Sequence, residues 1–129
     1  MEIIASQNYL LMSPKKIRMV VDIIRRLTPN QAIERLPFVG KRAALPLIKV
    51  IKSAVANARV KGISEDELLF KEILINEGPR LKRGRPVSRG MWHPIIKRMS
   101  HIRVVLTTRK SEIPNPKSKT EVKKGENKE

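Results

Sequence analysis

The chain contains no cysteine among its 129 residues. Disulfide bonds, thiolate zinc sites and cysteine nucleophiles are therefore excluded, and a reducing intracellular setting is compatible with the sequence. No apolar run approaches the roughly 20 residues that a membrane-spanning helix needs. The first residues also lack the basic start and the long apolar core of a secretory signal. We therefore expect a cytoplasmic protein that does not enter a membrane.

Aromatic residues make up only 3% of the chain, which argues against modules that stack several bases on an aromatic-rich sheet. Catalytic groups are equally scarce. His93 and His101 are the only histidines, and neither is spaced with carboxylates as in a metal site or a catalytic triad. The carboxylates within residues 64–67 are interpreted as part of a capped surface turn. The sequence therefore predicts no enzyme, no metal site and no cofactor.

Positive charge, by contrast, is in large excess, with 28 Lys and Arg against 12 Asp and Glu and a net charge of +16. No acidic residue lies between Glu77 and Glu112. The same interval holds ten basic residues with no acid to offset them: Arg80, Lys82, Arg83, Arg85, Arg89, Lys97, Arg98, Arg103, Arg109 and Lys110. Such a segment predicts a polyanionic partner, because arginine grips phosphate with two parallel hydrogen bonds and also stacks on bases.

Apolar residues recur at helical spacing in three segments, after a β-patterned run at 2–11. Proline marks the start of the first two helices. Pro14 follows Ser13, whose hydroxyl is the predicted N-cap, and Pro29 follows Thr28, which forms a predicted capping box with Gln31. The predicted helices are 13–27, then 28–36 closed by Pro37 and Gly40, then 41–61, well formed from near Leu45 and closed by Gly62.

Two further β-patterned runs, at 69–76 and 101–108, predict a small three-stranded antiparallel sheet covered by the three helices. The long connection at 78–100 is predicted to protrude as a basic β-hairpin, with Gly84 and Gly90 interpreted as turn formers. The fold class is therefore α+β, with one domain at 1–110. The polar tail at 111–129 is expected to be disordered.

Two residues of the hairpin segment leave alternatives open. Trp92 lies among positive charges, where contact with a partner, including base stacking, is favoured over packing within the segment. His101 lies where the segment rejoins the sheet. It either makes a structural hydrogen bond or contacts a phosphate.

Six short motifs occur in the order found in one known family. They are Ser-Pro-Lys-Lys at 13–16, Ser-Ala-Val-Ala-Asn-Ala at 53–58, Asn-Glu-Gly-Pro at 76–79, Leu-Lys-Arg at 81–83, Arg-Gly at 89–90 and Lys-Arg-Met-Ser-His-Ile at 97–102. Across roughly residues 5–108 the chain resembles bacterial large-subunit ribosomal protein twenty-two. The resemblance implies a small α+β domain on the outer surface of the subunit. It also implies a long hairpin that threads into ribosomal RNA and reaches the wall of the nascent-peptide exit tunnel.

The same resemblance implies that the partners are large-subunit (23S) rRNA and neighbouring large-subunit proteins, that the hairpin bridges several rRNA domains during assembly, and that no homo-oligomer forms. The expected RNA-binding residues are Lys15, Lys16, Arg18, Arg80, Lys82, Arg83, Arg85, Arg89, Lys97, Arg98, His101 and Arg103. The expected exit-tunnel tip, next to the nascent peptide, is Arg89, Gly90, Met91, Trp92 and His93. Residues 91–94 depart from the small and basic residues that are more usual there.

Two other functions fit the charge. A DNA-architectural protein with a basic, proline-tipped β-arm would form a stable dimer and prefer bent duplex DNA. A free RNA-annealing protein would bind any single strand weakly. Competition between nucleic acids at one stated salt concentration separates these alternatives from the ribosomal interpretation.

Overall fold

The structure, a computed structural model, describes residues 1–108. Its elements in chain order are β1 (Glu2–Leu10), α1 (Pro14–Ile24), α2 (Pro29–Arg35), α3 (Ala44–Val60), β2 (Leu68–Pro86) and β3 (Trp92–Thr108). Three short 3₁₀ turns lie at Leu36–Val39, Glu65–Glu67 and Ser88–Gly90. The predicted tail at 111–129 and the last two basic residues of the charged interval, Arg109 and Lys110, lie outside the described residues.

The three strands form one antiparallel sheet in the order β1-β3-β2, so β3 is the central strand. Ile3 pairs with Leu106 on one side of β3, and Ile75 pairs with Ile102 on the other. Helix α3 packs on β1 and β3, α1 packs on β2 and β3, and α2 packs on α3. The predicted α+β class, with a small antiparallel sheet covered by helices, is confirmed.

The core lies between one face of the sheet and the helices. Its fully buried large side chains include Ile3, Ile102, Val104 and Leu106 from the sheet and Ile17, Ile24, Leu47 and Ile51 from the helices. The spacing of the apolar residues explains this arrangement. Every second residue of β3 points to the same face of the sheet, and the apolar residues of α1 recur every third or fourth position, which places them on one face of the helix. Burying each such side chain contributes about 1.5–3 kcal/mol to folding.

The predicted helix starts are confirmed in position but differ in how they are capped. Thr28 Oγ1 accepts a hydrogen bond from the Gln31 N–H at 3.4 Å, and Gln31 Oε1 accepts one from the Thr28 N–H at 3.3 Å, which completes the predicted box. Ser13 makes no such side-chain bond, so the predicted hydroxyl cap is wrong. Proline at the first helical position, Pro14, and an extended Ser13 backbone start α1 instead. Leu27 lies beyond the end of α1 and packs half-buried against the core.

The predicted end of the second helix is confirmed, because α2 ends at Arg35, before Pro37. A short 3₁₀ turn, which was not predicted, continues to Val39 before Gly40 ends it in the left-handed region at φ 63°. Helix α3 begins at Ala44, so Pro46 falls in its first turn, where the missing N–H has no helical partner to lose. The predicted stop at Gly62 is confirmed by its left-handed φ of 73°.

Strands β2 and β3 continue past the helices as a two-stranded arm, defined here as residues 78–100. Cross-strand pairing runs from Arg80 opposite Arg98 to Pro86 opposite Trp92, and residues 87–91 form the tip. Every residue from 82 to 98 is exposed. The protruding basic hairpin is therefore confirmed as the main feature outside the core.

Candidate nucleic-acid interface

The cations of the arm divide between its two faces, because successive residues of a strand point to opposite sides. One face, called the Lys82 face, carries Arg80, Lys82 and Arg98. The opposite face, called the Arg83 face, carries Arg83, Arg85 and Lys97. All six side chains are exposed. Positive charge thus lies on both sides of the ribbon rather than along one stripe.

Apolar side chains share both faces with these cations. Ile96 lies opposite Lys82, and Ile95 lies opposite Arg83. The two isoleucines are 43% and 42% exposed, so neither belongs to a core. Each offers apolar surface along which the aliphatic stem of the opposing cation can lie while its charged head stays in solvent. On each face of the arm, a charged side chain therefore lies next to an exposed isoleucine.

The base of the arm contains one acid, Glu77, and it offsets part of the charge. Arg80 donates a hydrogen bond to Glu77 Oε2 at 2.7 Å. Through this bond and its charge, Arg80 holds the pKa of the Glu77 carboxyl below its ordinary value, with smaller contributions from Arg98 and Arg18. The expectation that nothing offsets the basic run is therefore wrong at Arg80. The expectation fails because Glu77, three residues before Arg80 and at the edge of the basic interval, pairs with it.

Arg18, predicted to bind RNA, has a structural contact. Its Nη2 donates to the carbonyl oxygen of Ile75 at 2.9 Å, which ties α1 to β2 immediately before the arm. The guanidinium has five N–H donors, so four stay free for another partner. Arg18 is exposed. It is therefore placed both to fix the arm's base and to reach an anion.

Three other predicted residues lie on the body. Lys15 and Lys16 are exposed in the first turn of α1, where their charge opposes the helix dipole and is better compensated by an external anion. Arg103 pairs with Ser6 of β1 and Leu74 of β2, and it is exposed on the face of the sheet away from the buried Val104. The structure thus adds cations outside the arm without bringing them into one cluster.

His101 makes the structural hydrogen bond that was one of its two predicted alternatives. Its Nδ1 accepts from the Tyr9 backbone N–H at 3.1 Å, and the two rings meet edge to face with centroids 4.9 Å apart. Tyr9 has a left-handed φ of 55° at a register shift in β1. Sequence reasoning missed Tyr9, because the two residues are 92 positions apart and no local pattern joins them.

The tip turns through two consecutive left-handed residues, Arg89 at φ 59° and Gly90 at φ 70°. The turn is closed by the Val87 N–H, which donates to the Met91 carbonyl at 2.8 Å. Gly90 is therefore a turn former, as predicted. The side chains of Met91 and Arg89 are exposed at the far end of the arm.

Gly84 is not a turn former, contrary to prediction. It lies within β2 opposite Pro94, and the indole of Trp92 packs against it so closely that a Cβ at position 84 would clash with three atoms of the ring. Trp92 therefore packs within the arm on one side. It is also 65% exposed, which leaves the predicted contact with a partner open on the other side.

The remaining chemistry of the described residues is sparse. Residues 1–108 contain no cluster of three His, Cys, Asp or Glu residues that would hold a metal. The acidic turn at Glu65–Glu67 forms, but without a side-chain cap from Ser64, and Glu65 pairs with Arg59. No helix in the described part of the chain is long and apolar enough to span a bilayer.

Comparison with known proteins gives one consistent match. Residues 5–107 match the family model described as "Ribosomal protein L22p/L17e". The chain is 42% identical over 108 residues to "Large ribosomal subunit protein uL22" of Mesoplasma florum, covering 83% of this chain and 96% of the relative. It is 41% identical over 111 residues to the protein of that name from Mycoplasma capricolum, covering 85% and 100%. The protein of the same name from Desulfatibacillum aliphaticivorans is 40% identical over 106 residues, covering 82% and 98%.

Proposed function

Because this chain belongs to the L22p/L17e family of ribosomal proteins, we propose that its arm inserts into large-subunit (23S) rRNA and binds it on both faces. The family makes the chain a structural constituent of the large ribosomal subunit and not an enzyme. Its partners are therefore large-subunit rRNA and neighbouring ribosomal proteins, and it is ribosome-bound.

The observation that carries the proposal is the distribution of charge on the arm. Three exposed cations lie on each face, and one of them, Arg80, is paired with Glu77. A protein that lies on the surface of a polyanion needs cations on one side only, because charges on the far side stay in solvent and repel one another. Cations on both sides of a ribbon are neutralised together only when phosphates lie on both sides. We therefore assign the arm an inserted position between RNA segments.

The body supplies further contacts at a distance from the arm. Lys15 and Lys16 start α1, and Arg103 lies on the outer sheet face. A protein that holds different RNA segments with its arm and its body lowers the entropy cost of bringing those segments together, as any bivalent ligand does. We propose that the chain bridges several rRNA domains in this way during subunit assembly.

Residues 89–93, which overlap the tip and the start of β3, are proposed to line the nascent-peptide exit tunnel. Support comes from the family resemblance and from the exposure of Arg89 and Met91 at the far end of the arm. A bacterial cytoplasmic location and the absence of a homo-oligomer belong to the same proposal. The exposed tip matches a surface that meets a passing chain rather than a core.

Competition binding tests the proposal. Purified full-length protein is bound to labelled large-subunit rRNA and challenged with duplex DNA, bent or straight, and with unstructured single-stranded RNA at one salt concentration, because affinities at different salt are not comparable. We expect the folded rRNA to be retained against both competitors. Preference for duplex DNA would support the architectural alternative and overturn the proposal. Equal binding of any single strand would support an annealing protein instead.

A further inference from the structure

The contact between Trp92 and Gly84 leaves the indole with one covered side and one open side. The inner side lies against the β2 backbone, because Gly84 has no Cβ in the space that the ring occupies. Any other residue at position 84 would displace the ring. The residue as a whole is nevertheless 65% exposed, so the surface away from Gly84 faces solvent.

The surroundings of the ring combine rigidity with positive charge. Pro86 lies opposite Trp92, and Pro94 lies opposite Gly84, on the same face of the ribbon. Proline fixes its own φ, so the backbone next to the ring has little freedom to lose on binding. Lys82 and Arg98 follow on the same face towards the base of the arm. A flat aromatic surface thus stands in line with two cations.

From this arrangement we infer that the outer face of the Trp92 indole, held in place by Gly84, is a stacking site for one unpaired nucleobase of RNA. The inference rests on the proposed binding of RNA by the arm and adds a base contact to it. Every nucleobase has a π face, so such a site is tolerant of sequence. Lys82, two residues from Gly84 on the same strand and face, would hold a phosphate of the same RNA strand. A peptide partner would make use of the ring but not of these cations.

The experiment uses Trp92 as its own probe, because it is the only tryptophan of the chain. Full-length protein is titrated with an oligoadenylate of about ten nucleotides, the length that single-stranded sites commonly span, and with an abasic ribose-phosphate oligomer of the same length. We expect marked quenching of tryptophan fluorescence by the oligoadenylate and little by the abasic oligomer when both are bound to the same occupancy. Equal quenching by the two oligomers at that occupancy would overturn the inference.

Variants separate stacking from charge. Trp92→Ala should weaken oligoadenylate binding roughly 5- to 150-fold and leave abasic binding unchanged, whereas Trp92→Phe should retain most of the preference for bases. Gly84→Ala, which forces the ring off the backbone but keeps the indole itself, should likewise weaken oligoadenylate binding and leave abasic binding unchanged. Because Gly84→Ala also disturbs the arm, the Trp92→Phe result decides the question if that variant is misfolded. Loss of base preference in Trp92→Phe equal to that in Trp92→Ala would count against stacking.

Failure of this inference is distinguishable from failure of the proposed function. If neither oligomer binds and large-subunit rRNA does not bind either, the arm is not an RNA-binding element. If both oligomers and rRNA bind but the two oligomers quench tryptophan fluorescence equally, the arm binds RNA without stacking of a base on Trp92. Quenching by short unstructured peptides but not by oligoadenylate would assign the ring to a polypeptide and overturn the inference.

Discussion

The backbone N–H of Tyr9 donates to Nδ1 of His101 at 3.1 Å and so joins β1 to the base of the arm. The donor residue is in the left-handed region at φ 55°, a conformation that costs a non-glycine residue roughly 1–2 kcal/mol. The hydrogen bond and the edge-to-face ring contact offset this cost. The pair therefore fixes the position at which β3 leaves the arm and rejoins the three-stranded sheet.

Replacing His101 tests whether its main role is the hydrogen bond with Tyr9 or a contact with RNA. His101→Ala should lower the free energy of unfolding by about 1 kcal/mol, because the Tyr9 N–H loses its acceptor. His101→Asn is the matched control, since its Oδ1 takes nearly the position of Nδ1 and can accept the same bond. Urea denaturation measures both. Unchanged stability of His101→Ala together with weaker RNA binding would instead assign His101 to a phosphate.

The pH dependence of the Glu77–Arg80 pair is set by the lowered pKa of Glu77. A carboxyl whose pKa is lowered in the folded state adds stability that is complete above its ordinary value and is lost as the pH falls through the lowered pKa. We therefore expect the carboxyl resonance of Glu77 to titrate below 4.5, its ordinary value. Arg80→Ala should move the midpoint up towards 4.5, although Arg98 and Arg18 still lower it. An identical midpoint in the two proteins would show that Arg80 does not engage Glu77.

Ser100 provides a test of packing at the base of the arm. Its side chain is fully buried, and its hydroxyl has no hydrogen-bond partner among the described residues. A buried polar group without a partner costs free energy, so its removal is close to neutral or stabilising. Ser100→Ala should therefore lower the free energy of unfolding by less than about 0.5 kcal/mol, or raise it. A decrease of about 1 kcal/mol or more, by calorimetry or urea denaturation, would mean that the hydroxyl has a partner.

The body of the fold was predictable because its signals are local. The apolar repeat of α1, the Thr28 capping box and the alternation around Val104 each depend on neighbours within a few residues. Ser13 shows the limit of such signals. An N-cap residue type followed by proline identifies the start of a helix, but the rotamer that would make the capping bond is not encoded in the pattern.

The site was predictable in its charge but not in its pairing. The long basic interval and the hairpin followed from composition and from the two flanking strands. The strand register decides which cations share a face. It also decides the contact of Trp92 with Gly84 and that of Tyr9 with His101. Gly84 was assigned to a turn because glycine more often marks turns than strands. The bulky ring that requires it lies on the other strand, beyond the tip of the arm.

Charge removal on each face tests whether both bind phosphate. Lys82→Ala with Arg98→Ala removes two cations from the Lys82 face, and Arg83→Ala with Arg85→Ala removes two from the Arg83 face. Each double variant should reduce the slope of log affinity against log salt by up to about 0.7–0.9 for every phosphate that the variant no longer binds. Filter binding to large-subunit rRNA at several salt concentrations measures the slope.

The matched control for these variants removes two exposed lysines from α3, Lys49 and Lys52, which change the net charge by the same amount. Its slope should stay close to that of the parent. A reduced slope for only one of the two arm variants would mean that the arm lies on the RNA surface with one face in solvent.

The most direct measurement of the central claim is a single-particle density map of the large ribosomal subunit from the source cell. If the arm is inserted between RNA segments, rRNA lies within hydrogen-bonding distance of Lys82 and Arg98 on one face of the arm and of Arg83 and Arg85 on the other. A map in which rRNA lies along one face only, in which the arm extends into solvent, or in which the chain is absent from the subunit would contradict that claim.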